Sequence, residues 1–97
     1  MSTVFVGAGN VSVGTAKALS KKGHEVVFIE TDKAKIDDLS EEMDCSFLQG
    51  AGSRPDILRE VNPEQTDFLF CLTDSDQHNV IASLVGRARG FKRVVTS

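Results

Sequence analysis

A chain of 97 residues, 40% apolar and 26% charged with a net charge of −3, has the composition of one ordinary soluble globular domain and is too short for two. Its 11 basic residues are scattered among 14 acids, which offers no basic stripe to a nucleic acid, and no apolar run approaches the ~20 residues of a membrane span. The two cysteines, Cys45 and Cys71, have neither a CxxC partner nor a histidine at metal-ligand spacing, so they read as buried reduced thiols in a cytosolic protein.

Strand and helix patterns alternate from the first residues, which leaves no room for a signal peptide. Residues 3–7 (TVFVG) read as a strand. Residues 10–22 read as a helix with Val11, Thr15, Ala18 and Leu19 on one face, ended by Gly23. His24 leads into the strand 25–30 (EVVFIE). Asp32 is placed to cap a second helix whose inner face is Ile36, Leu39 and Met43. Residues 45–50 form a third strand, and 53–61 a short helix with Ser53 as its cap and Pro55 in its first turn. A loop over 62–67 leads to a strand at 68–73. A last helix, about 75–89, carries Val80, Ile81, Leu84, Val85 and Ala88 and stops at Gly90, and 93–97 is a fifth strand.

Short, continuous apolar strands alternating with helices imply an α/β fold: a Rossmann-like, doubly wound parallel sheet of five strands in three layers, with right-handed crossovers and helices on both faces. The expected strand order is 3-2-1-4-5, with ligand over the carboxyl ends at the switch point between strands one and four.

The stretch 5–19 (FVGAGNVSVGTAKAL) supplies the chemistry. Gly7 makes the turn out of the strand, Gly9 lets backbone approach a pyrophosphate, and Ala8, Asn10 and Val11 lead into a helix whose first N–H groups and dipole favour phosphate. A third glycine is expected at position 12, where it would let the helix approach the sheet; Ser12 stands there instead. Its hydroxyl is expected to bond back to a carbonyl one turn earlier, so the exchange should cost packing and not phosphate contact. Glu30 ends the second strand roughly 20 residues on, where a carboxylate accepts bonds from both ribose hydroxyls and repels a 2′-phosphate. NAD(H) is therefore expected over NADP(H). Thr31 follows Glu30; Gln49, Gly50, Ala51, Gly52 and Ser53 follow the third strand and can line the adenine side; Thr73, Asp74, Asp76 and Asn79 follow the fourth and can reach a ribose or second nucleoside, while Asp74 or Ser75 can also cap the last helix. His24 is expected to be structural, and His78, on the last helix near the site, a surface residue and not a catalytic one. No nucleophile–base pair and no metal-ligand cluster stands out, so neither catalytic nor metal residues are assigned.

Taken together, residues 5–19, 23–32 (GHEVVFIETD), 49–61 (QGAGSRPDILREV) and 67–80 (DFLFCLTDSDQHNV) resemble the nucleotide-binding lobe of the regulators of potassium conductance, the TrkA-N, RCK or KTN domain. The resemblance spans essentially the whole chain, as a single domain over 1–97 lacking a C-terminal part. Two positions depart from the family pattern: Ser12 for the third glycine, and Ala51 for the aspartate after the third strand. Asn10 brings no positive charge to a γ-phosphate, which favours NAD(H) or a diphosphate over ATP. The resemblance implies a sensor that binds NAD(H), ATP, ADP or AMP without consuming it. It also implies a homodimer or larger ring, and a membrane potassium channel or transporter partner reached from the cytoplasm at the inner face of the membrane. The apolar stripe of the last helix suits a dimer contact or packing on its own sheet. The alternative reading is the NAD-binding fragment of an oxidoreductase, which the glycine loop and Glu30 would serve equally.

Overall fold

A computed structural model describes residues 1–96. Its elements are β1 (Ser2–Val6), α1 (Asn10–Lys21), β2 (Glu25–Glu30), α2 (Lys33–Glu42), β3 (Ser46–Gln49), α3 (Pro55–Arg59), a 3-10 turn at Pro63–Gln65, β4 (Phe68–Cys71), α4 (Asp76–Ala88) and β5 (Val94–Thr96). The end of the expected fifth strand, position 97, lies outside the described residues. The strands form one parallel sheet in the order β3-β2-β1-β4-β5, as expected from the alternating pattern. Reversal of direction at β1 sends α1 and α2 to one face and α3 and α4 to the other.

Alternate residues of the strands feed two separate cores. On the α3/α4 face, Val4, Val6, Ile29, Leu69 and Cys71 pack with Leu58, Ala82 and Phe91. On the α1/α2 face, Phe5, Val26 and Phe28 pack with Ala8, Ala16 and Met43. The register sets Phe47, Phe28, Phe5 and Phe70 side by side on four neighbouring strands. Their rings stack at centroid distances of 5.6, 5.4 and 5.0 Å, a continuous aromatic row beneath the helices. Only the central strands are covered on both faces; the edge strand β3 has no fully buried residue.

Helix α2 turns its expected face inward, with Met43 buried and Ile36 and Leu39 half-buried, whereas α1 and α4 depart in part from the apolar pattern. In α1 the buried residues are Ser12 and Ala16, while Val11 is 71% exposed and Ala18 is also exposed. Thr15 and Leu19 are half-buried, as is Val13. In α4 the buried side is Asn79, Ala82, Ser83 and Gly86, with Val85 half-buried. Val80, Ile81, Leu84 and Ala88 are exposed, so of the expected stripe Val85 alone packs on the sheet. The reason is distance. A Cβ on Gly86 would lie 2.4 Å from Leu69 Cδ2, so α4 runs too close to β4 for large side chains at the contact.

Local signals fix the helix ends with one correction. Asp32 caps α2 by accepting from the Ala34 N–H at 3.0 Å, and Ser75, not Asp74, caps α4 by accepting from the His78 N–H at 3.1 Å. The cap residue of α3 is Arg54 and its side chain makes no capping bond, so Ser53 does not cap it; Pro55 opens the helix as expected.

Candidate functional site

The strand order places the loops after β3, β2, β1 and β4 next to one another, in that spatial sequence, along the carboxyl edge of the sheet. They enclose one crevice of about 540 Å³, a volume within the range of small-molecule sites. Of the residues proposed from the sequence, Gly7, Ala8, Gly9, Glu30, Thr31, Gly50, Ala51, Thr73 and Asp74 line it together. Asn10, Val11, Asp76 and Asn79 do not: the first three are exposed on the opening turns of α1 and α4, and Asn79 is buried behind the wall. Gly52 and Ser53, expected on the adenine side, line it too, while Gln49 does not. The crevice also contains Asp32, Lys35, Ser75 and His78. Asp32 and Ser75 flank residues that were assigned, so adjacency was a signal for them. His78 was expected near the site but as a surface residue; Lys35, like His78, lies in the first turn of its helix, and only knowing which way that turn faces brings it in.

The glycine loop is built from two different requirements. Gly7 sits at φ +98°, and a Cβ there would lie 2.9 Å from the Leu72 carbonyl oxygen, so the fold itself demands glycine. Its N–H donates to the Ile29 carbonyl at 2.9 Å, tying the loop to β2. Gly9 is different. Its φ is −79° and a Cβ would meet nothing within 4 Å, so no protein contact requires glycine there. Gly9 precedes α1, whose N-terminus has no side-chain cap, in contrast to α2 and α4. The N–H groups of the first turn of α1 therefore have no side-chain cap, at the end of the helix that Gly9 joins to the crevice.

Glu30 is 8% exposed and doubly held. Its Oε1 accepts from the Ala8 N–H at 2.9 Å and its Oε2 from the Asp32 N–H at 2.8 Å, with the Thr31 hydroxyl donating to Oε2 at 3.4 Å. One carboxylate thus fastens the glycine loop to the start of α2. Oε1, with one donor, retains a second lone pair. On the β3 side the backbone comes very close to β1: a Cβ on Gly52 would lie 2.4 Å from Val6 Cγ1.

Across the crevice, Asn79 is fully buried and locks the end of β4 to α4. Its Oδ1 accepts from the Thr73 N–H and hydroxyl, both at 2.7 Å, and its Nδ2 donates to the Thr73 carbonyl at 3.1 Å. The Thr73 hydroxyl also lies 3.1 Å from the Ser75 carbonyl. This network gives Asn79 and much of Thr73 a structural role at the site.

Ser12 departs from expectation. Its hydroxyl does not reach a carbonyl one turn back: Oγ is buried with no hydrogen-bond partner among the described residues. His24, outside the crevice, likewise has a buried, unpartnered Nδ1. Cys71 is buried and Cys45, just ahead of β3, is half-buried; neither is in a disulfide. Burial pushes the Cys71 thiol up to about 11.

The glycine loop, the carboxylate after β2 and the Thr-x-x-Asp-x-x-Asn run into α4 coincide with a match to the TrkA-N domain family over residues 3–97. The chain belongs to the TrkA-N domain family. Among curated TrkA-N relatives, the Trk system potassium uptake protein TrkA of Halomonas elongata is 32% identical over 85 residues, covering 88% of this chain and 19% of that protein. The chain therefore spans about a fifth of the length of that relative. Solved structures share the TrkA-N fold at lower identity. The Kef C-terminal domain of Shewanella denitrificans in its AMP-bound form superposes with a TM-score of 0.81 at 14% identity, over 99% of this chain and 57% of that one. The GsuK channel bound to NAD gives 0.80 at 15% identity, over 96% and 21%. No helix among the described residues is long and apolar enough to cross a membrane.

Proposed function

We propose that this TrkA-N domain is the nucleotide-sensing part of a potassium channel or transporter regulator, holding NAD(H) in the crevice without turnover. The observation that carries this reading is Gly9, a glycine that no protein contact requires, beside an uncapped helix start and opposite a buried carboxylate. A phosphate over the loop supplies the missing reason for Gly9, and a ribose at Glu30 supplies a hydroxyl donor for the remaining lone pair of Oε1. ATP, ADP and AMP are the competing ligands; the absence of a cation at Asn10 and the carboxylates in the crevice favour NAD(H). The exposed face of Val80, Ile81 and Leu84 supports a homodimer or ring built on α4. The protein then acts at the cytoplasmic face of the membrane through a potassium-conducting partner, with nucleotide shifting the assembly by binding one conformation better than the other.

Thermal shifts with NADH, NADPH, ATP, ADP and AMP test the assignment. NADH at 100 times its dissociation constant is expected to stabilise the fold by about 2.7 kcal/mol, and NADPH to bind more weakly. Glu30→Ala should narrow the gap between the two and, by releasing the Ala8 and Asp32 N–H groups, weaken both. A chain indifferent to all five nucleotides does not carry this function.

A further inference from the structure

A second cleft, of about 530 Å³, lies at the opposite ends of α3 and α4 from the crevice. Both helices start beside the crevice, just after Ser53 and Ser75, and both end at this cleft, α3 with Arg59 and α4 with Ala88 and Arg89. The 13 residues of α4 span about 20 Å at 1.5 Å each, and the two sites share no residue. Residues 62–65 complete the wall, and their backbone is fixed. Asn62 turns the chain at φ +54°, a left-handed conformation that asparagine tolerates. Pro63 is buried, and the Thr66 hydroxyl lies 3.1 and 3.0 Å from the Val61 and Asn62 carbonyls.

Arg59 and Arg89 each stand at a helix C-terminus, where a cation is favourable by itself. Such a side chain commonly bonds the last carbonyls. Here the backbone does so instead. The Ile57 and Leu58 carbonyls accept from the Glu60 and Val61 N–H groups, and the Val85, Gly86 and Arg87 carbonyls accept from those of Arg89, Phe91 and Gly90. Nor does an acid neutralise either arginine. The ion pairs among the described residues are Lys17–Glu42, Lys33–Asp37 and Arg54–Asp56, and Glu64 on the same wall pairs with neither guanidinium. The side chains of Asn62 and Gln65 are likewise without a hydrogen-bond partner among the described residues. The cleft therefore presents two guanidinium groups and two carboxamides with every donor free, against one carboxylate.

We infer that the cleft between the ends of α3 and α4 is a second ligand site, for a small multivalent oxyanion bearing phosphate or carboxylate groups. Each guanidinium fork matches either group with two parallel hydrogen bonds, and two forks on one wall call for more than one anionic group. Asn62 and Gln65 add neutral N–H donors between them in the sequence of the wall. Glu64 lowers the charge of the lining to +1 and accepts from a hydroxyl or ammonium group of the same ligand. The volume is that of a metabolite site. This site is independent of the nucleotide reading, since none of its residues lines the crevice.

Titration of the full chain with inorganic pyrophosphate and with citrate, followed by backbone amide NMR shifts, tests this. At least one of the two is expected to move the Asn62, Gln65 and Gly90 N–H signals saturably. Saturation by pyrophosphate alone makes it a phosphate site, and by citrate alone a carboxylate site. Arg59→Gln combined with Arg89→Gln should weaken that binding by about tenfold or more, as expected on losing charge-assisted hydrogen bonds. Arg87→Gln removes a neighbouring charge that does not line the cleft and should change affinity less than twofold. Melts of each variant without ligand confirm folding, and all three arginines are exposed. Shifts confined to Gly9–Val11, shifts that do not saturate with either anion, or equal losses from Arg87→Gln and the double variant overturn the second site and leave the nucleotide crevice untouched.

Discussion

Ser12 carries a hydroxyl into the buried contact between α1 and the sheet. It is 1% exposed, its Oγ is unpartnered, and it lies where α1 meets the sheet. A buried hydroxyl without a partner costs about 1–3 kcal/mol, so Ser12→Ala is expected to stabilise the fold by about 1 kcal/mol in chemical denaturation, without altering nucleotide affinity. The two loop glycines should separate in the opposite sense. Gly7→Ala meets the Leu72 carbonyl and a left-handed backbone, and is expected to destabilise by at least about 2 kcal/mol. Gly9→Ala meets no protein atom and should change stability by less than about 1 kcal/mol, yet abolish the thermal shift given by NADH. Equal destabilisation by the two substitutions would assign Gly9 to the fold and remove it from the ligand. From sequence both glycines look alike; the atoms facing each one distinguish them. Glu30's place in the crevice was legible, but its bonds to the Ala8 and Asp32 N–H groups were not, because they cross between loops that only the sheet brings together.

At the scale of elements, helix existence and the inner face of α2 were read well, and the faces of α1 and α4 only in part, for one reason. Periodicity weights large apolar residues, and in α1 and α4 the residues against the sheet are small: Ser12 and Ala16, then Ala82, Ser83 and Gly86. Close helix–sheet approach selects for size, so Val11, Val80, Ile81 and Leu84 turn outward. In α4 this leaves one exposed apolar side over the first three turns, carried on a helix whose buried Asn79 ties it to the crevice wall. Leu84 is 63% exposed, so Leu84→Asp should shift monomer stability by about 0.5 kcal/mol or less. Sedimentation should show the same substitution dissociating a dimer formed by the unaltered chain. A chain monomeric at high concentration, before and after the substitution, takes α4 out of assembly.

On the scale of the whole molecule, the chain by itself determined the class and order of the architecture. Short apolar strands alternating with helices leave few ways to bury both faces of a sheet, right-handed crossovers prune those further, and the order 3-2-1-4-5 follows. The glycine loop and the acid after β2 were equally legible, because their spacing is local to one β–α–β unit. The tertiary structure alone decided which residues share the crevice. His78 and Lys35 face it from helical turns while Asp76 and Val11, on the opening turns of α4 and α1, do not. It also decided which polar groups are left for a ligand once Asn79, Thr73 and Ser75 have satisfied one another. Both depend on packing distances between elements far apart in the chain, and a one-dimensional pattern records side-chain type and spacing but not the space left between two packed elements.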